Sequence, residues 1–116
     1  MALLKLKRVY DPVESDDGSR VLVDRLWPRG IARKDLSLDL WLKDIAPSDE
    51  LRRWYGHESD KWPEFKRRYL AELACSEEAL DRLRALLQKG AVTLLYAARD
   101  TEHNQAVVLK ELLESS

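Results

Sequence analysis

A single cysteine, Cys75, stands in the whole chain, so no intramolecular disulfide can form, and this usage fits a reducing compartment such as the cytosol. Glycine and proline are scarce, four of each, and no stretch is enriched in them or in serine, so no linker is expected and residues 1–116 read as one domain. No apolar run approaches the roughly 18 residues that a membrane span requires. Leu3 and Leu4 are followed by Lys5, Lys7 and Arg8, so neither a signal peptide nor a membrane anchor is expected. Net charge is also nearly absent: 20 Lys and Arg face 21 Asp and Glu, a formal −1, and that balance argues against strong nucleic-acid binding. The only histidines, His57 and His103, lie far apart without HxH or HxxxH spacing, so no metal site is expected. GxGxxG, GxxxxGKS/T and GxSxG are all missing, which leaves nucleotide cradles and serine nucleophile elbows unsupported.

What is present suffices for a conventional core. Hydrophobic residues make up 45% of the chain, and four Trp, four Tyr and one Phe bring large buried area per residue, so folding needs no cofactor and none is named by the sequence. Leu4, Leu6 and Val9 predict a first strand near 3–9. The apolar run in residues 20–26 predicts a central strand buried on both faces, left through Trp27, Pro28 and Gly30. Alternation of Leu36, Leu38, Leu40 and Leu42 with polar neighbours and Trp41 predicts a third strand, with a helix as the alternative.

Pro47 and Ser48 then open a short helix that Gly56 stops. A second helix is capped by Ser59 or Asp60 and buries Trp62, Phe65, Tyr69, Leu70 and Leu73. A third runs from Ser76 to Gly90 with Leu80, Leu83, Leu86 and Leu87 on one side. A buried strand over 91–98 and a last helix carrying Ala106, Val107, Leu109, Leu112 and Leu113 complete the order. The expected architecture is α/β, a small mainly parallel sheet of three to four strands covered by helices. If the strands at 20 and 91 are parallel, their following loops leave along the same edge, where open α/β sheets place ligands.

The segments VLVDRLWPRG at 21–30, WLKDIAPSDELRRWYGH at 41–57, WPEFKRRYLAEL at 62–73 and VTLLYAARDTEHNQAVVL at 92–109 resemble the bacterial family called domain of unknown function 488, in particular its short YeaO-like members. The resemblance covers nearly the whole chain and implies an α/β domain of unassigned activity. Longer relatives carry a cysteine near the end of the last strand and a Cys-His-Arg run opening the last helix. Tyr96 and the run His103, Asn104, Gln105 stand there instead, so the resemblance brings neither thiol chemistry nor a cysteine metal site.

Candidate chemistry gathers at two strand ends. Arg25 and Arg29 flank Trp27 in one loop, and guanidinium forks suit phosphate or carboxylate, so a small anionic ligand is the first expectation, with Trp27 excluding water. The competing role is structural pairing of these arginines with Asp24, Asp100 or Glu72. Arg99, Asp100 and Asn104 sit at the opening of the last helix, Asp100 as a proton-transfer group or as a cap, and Asn104 as a group that orients the ligand. His57 after Gly56 is the second proton-transfer candidate, or a loop histidine satisfied by a backbone carbonyl. Cys75 reads as a small buried residue. Lys66, Arg67 and Arg68 read as a solvated face rather than a nucleic-acid surface. The alternatives to a ligand site are a noncatalytic module that forms a homodimer or binds a protein, and weak nucleic-acid binding.

Overall fold

Four short strands, none longer than five residues, build the sheet in the computed structural model, which describes residues 3–115. They are β1 (Leu4–Arg8), β2 (Ser19–Leu22), β3 (Leu40–Trp41) and β4 (Val92–Tyr96), ordered β1-β4-β2-β3 with every pair parallel. β4 occupies an interior place, and all five of its residues are buried, as expected of a parallel strand covered on both faces.

Period-two alternation divides the sheet into two environments. Val92, Leu94 and Tyr96 face a core shared with α1 (Asp49–Tyr55), α2 (Trp62–Leu73), α3 (Glu77–Lys89) and α4 (Gln105–Ser115). Leu95 faces the opposite way with Leu22, Val9 and Leu36, against Trp27, Ile31 and Trp41. Helices therefore cover one face, while the crossovers β1 to β2 and β2 to β3 cover the other without an α-helix. Gly18 lets the first crossover enter β2. Its φ is +66°, and a Cβ there would stand 2.1 Å from the Ala91 carbonyl oxygen, which accepts the Ser19 amide at 2.9 Å.

The helix boundaries follow local chemistry. Ser48 accepts the Leu51 amide at 3.1 Å, and Gly56 ends α1 in the left-handed region. Four expectations need correction. The third strand pairs only at Leu40–Trp41, because the Ser37 carbonyl accepts the Arg20 Nε at 2.8 Å instead of joining the ladder. Ser59 and Asp60 lie in a 3-10 turn, and Lys61 precedes α2 with no side-chain cap. Leu70 is exposed, since it lies about 100° around the helix from buried Tyr69. Cys75 is exposed as well, in the short link between α2 and α3. Among the described residues, no helix is long and apolar enough to cross a membrane.

Candidate functional site

Where β2 and β4 end, the chain leaves the sheet on one edge, and a cleft of about 240 Å³ opens there. Asp24, Arg25 and Leu26 line it from the β2 end, and Ala97 and Ala98 from the β4 end. The start of α1 adds Ala46, Pro47 and Arg52, and Tyr55 and His57 close that side. Phe65 of α2 and the pair Asn104 and Gln105 at α4 complete the wall.

Asp24 is held by neutral donors. Its Oδ2 accepts the Ala97 amide at 3.0 Å, and its Oδ1 accepts Gln105 Nε2. Burial pushes its carboxyl up to about 6, against those two hydrogen bonds and the nearby charges of His57 and Arg52. Trp41 Nε1 donates to the Asp24 carbonyl at 2.7 Å and fixes the backbone. A carboxyl raised by burial where it lines a cleft has the environment expected of a binding or proton-moving group.

Arg25 is pinned by backbone rather than by a carboxylate. Its Nε donates to the Pro47 carbonyl and its Nη2 to the Ala46 carbonyl, each at 3.1 Å. The nearest acidic oxygen, on Asp49, is 4.0 Å away, and Asp49 is engaged more closely by Arg52 at 3.1 Å. The guanidinium is thus fixed by backbone and shares the Asp49 carboxylate with Arg52. Tyr55 donates to the His103 carbonyl at 3.0 Å and stacks on Phe65 at 4.3 Å between ring centres. His57 follows Gly56 with φ at 60°, a second consecutive left-handed residue at the rim.

The residues expected from sequence divide around this cleft. Arg25, His57 and Asn104 line it. Asn104 is buried with both ends of its amide occupied, donating to the Asp100 carbonyl and accepting the Val107 amide, so it caps α4 from the cleft wall. Trp27 and Arg29 point elsewhere. Trp27 donates to the Ile31 carbonyl and packs edge-on against Trp41 at 5.3 Å, with the Arg33 guanidinium over both rings. Arg29 is exposed outside the lining, its carbonyl accepting the Tyr10 hydroxyl at 3.1 Å, and Arg99 is exposed on its turn. Neither arginine of the 24–30 loop makes the pairing with Asp24, Asp100 or Glu72 that was the structural alternative.

Asp100 shapes the turn. Its Oδ1 accepts the amides of Glu102 and His103, and its carboxylate meets His103 Nδ1 at 3.0 Å. The Glu102 amide foremost, together with His103, holds its carboxyl below the usual range, a poor condition for taking up a proton at neutral pH.

Asp24, Arg52, Tyr55 and Gln105 were not read from sequence as site residues. Asp24 carried one usable signal, a carboxylate directly after an apolar strand run at the ligand-bearing edge. Arg52 and Gln105 carried none, because only the packing of α1 and α4 brings them there. Elsewhere, Glu14, Asp16 and Asp17 bring carboxylate oxygens within 4.8 Å of one another, and Lys5, Lys7 and Arg20 already neutralise that cluster.

Comparison with known proteins gives a family and no activity. The family model described as the inactive DUF488-N3 subclade matches residues 3–116. The uncharacterised protein YeaO of Escherichia coli K12 is 50% identical over 112 residues, 97% of each chain. The uncharacterised protein Rv3073c of Mycobacterium tuberculosis H37Rv is 46% identical over 110 residues, 95% of this chain and 92% of that one. No solved structure matches. Family model and relatives agree along nearly the full length, and the chain therefore belongs to the YeaO-like proteins of the DUF488 family.

Proposed function

We propose that the protein is a binding domain for a small anion, held in the cleft at the ends of β2 and β4. The observation that carries this reading is Arg25, whose guanidinium is aimed by two backbone carbonyls and meets a carboxylate only at 4.0 Å, on an Asp49 that Arg52 engages more closely. A guanidinium immobilised before the ligand arrives loses little freedom on binding. Arg52 adds a second guanidinium and His57 an imidazole on the same side, and Phe65, Pro47 and the alanines limit access of water. Leu26, exposed at the rim, is placed to cover a bound molecule.

Binding without turnover fits the word "inactive" in the family description and the replacement of the longer relatives' cysteines by Tyr96 and the His103, Asn104, Gln105 run. Support for nucleic acid is weaker, since Arg67 and Arg68 are already paired with Glu64.

The test is the melting temperature of the purified protein against phosphate, sulfate, sugar phosphates, nucleotides and carboxylates. A ligand at a hundredfold excess over its Kd stabilises the native state by about 2.7 kcal/mol. The reading expects a saturable rise that Arg29→Ala keeps and Arg25→Ala loses. No rise with any of these compounds, or one that survives Arg25→Ala, contradicts it.

A further inference from the structure

We infer that the cleft takes its anion together with one proton from solvent, which settles on the carboxyl of Asp24, so that its ligands are small oxyanions bound beside a neutral acid. This rests on the anion-binding reading and adds the protonation state in which the site binds.

The cleft volume equals that of a sphere roughly 8 Å across, so any anion inside it lies within a distance at which like charges in a partly desolvated site repel strongly. Asp24 has no cation in contact to absorb that repulsion: its oxygens meet the Ala97 amide and the Gln105 amide, and among the described residues no ion pair joins it to Arg25, Arg52 or His57. Two negative groups sharing one enclosed site resolve the conflict by holding a proton between them. The neutral carboxyl then has an O–H to donate to the anion, or to the Gln105 side-chain carbonyl after rotation of that amide.

Each packed element leaves Asp24 as the group that titrates against the anion. From its own loop comes Arg25, a permanent cation. From α1 come Arg52, paired with Asp49, and Tyr55, whose hydroxyl burial raises above its usual value. From α2 come Tyr69, which burial keeps neutral, and Glu72, whose two oxygens accept the Ser48 amide and hydroxyl. The turn before α4 brings Asp100, engaged with the Glu102 amide and His103, and α4 brings only the neutral Gln105. His57 stands at the rim. Burial already lifts the Asp24 carboxyl to about 6, so little further push is needed.

The experiment is isothermal calorimetry with inorganic sulfate, which keeps its charge throughout, from pH 5 to 8 and in two buffers of different ionisation enthalpy. One coupled proton makes the sulfate Kd nearly level below the free carboxyl's midpoint and about tenfold weaker per pH unit above it, with uptake of close to one proton at pH 7. Asp24→Asn, a permanently neutral side chain of the same shape, should bind sulfate as tightly at pH 8 as at pH 6. His57→Asn, which tolerates the left-handed backbone, should keep the slope. A Kd independent of pH, a slope of opposite sign, or one that persists in Asp24→Asn and disappears in His57→Asn overturns the inference and leaves anion binding standing. The absence of sulfate binding at every pH overturns the inference, and the anion-binding reading falls with it only if the other anions also fail to raise the melting temperature. If Asp24→Asn fails to fold, uptake of close to one proton that persists in His57→Asn decides the matter.

Discussion

Two aspartates bracket β2, Asp17 just before it and Asp24 just after, and folding drives their carboxyls in opposite directions. Asp17 is almost fully buried. Burial alone would raise its pKa, but the Glu14 amide, Lys5, Lys7 and Arg20 outweigh burial and hold it far below the usual range. Asp24 meets two amides and no contacting cation, and burial prevails. The difference teaches which end of the sheet is scaffold. Where charge is compensated within the chain, the group fixes the structure; where compensation is incomplete, the group is left to respond to something outside it.

The largest effect should come from disrupting the compensated end. Asp17→Asn leaves the buried Arg20 guanidinium without its counter-charge, and loss of one partner from such a pair costs about 3 kcal/mol or more. Urea denaturation at pH 7 should show it as a lower midpoint with unchanged slope. Because its folded pKa is depressed, the stability Asp17 supplies is present above about pH 4 and disappears as pH falls below that.

Asp24 should behave in the opposite sense. Its folded carboxyl binds protons more tightly than the unfolded one, so native stability falls as pH rises from about 4 through about 6. Asp24→Asn should therefore stabilise the protein by about 3 kcal/mol at pH 8 and by little at pH 4, read from denaturation curves at the two values. Destabilisation at both pH values would place Asp24 with the scaffold.

Arg25→Ala should lower stability by about 2 kcal/mol, since it removes two hydrogen bonds of a partly exposed guanidinium, while abolishing the anion-dependent rise in melting temperature. Arg29→Ala is the smallest case, with stability expected within about 0.5 kcal/mol of the parent and the ligand response intact.

The same contrast marks what the sequence made legible. The apolar runs at 20–26 and 91–98 fixed the interior strands, and Ser48 and Gly56 fixed the ends of α1, because burial and capping act on neighbours in the chain. Leu36 and Leu38 misled. They alternate like a strand, yet they pack in a crossover against the outer face of the sheet, and alternation alone does not distinguish pairing from lining. Arg25 was visible as a guanidinium at a strand end. Its orientation depends on carbonyls 21 and 22 residues further along the chain, and the Gln105 contact with Asp24 spans 81 residues, so neither could be read locally. Arg29 looked equivalent to Arg25 in sequence; the turn through Pro28 and Gly30 separates their directions.

The most direct measurement is a carbon-13 NMR titration of the two aspartate carboxyls, with and without sulfate. The expected result is a midpoint near pH 6 for Asp24 that moves up when sulfate is added, while Asp17 stays ionised until acid unfolds the protein. An Asp24 midpoint near 4 that sulfate does not move would contradict it.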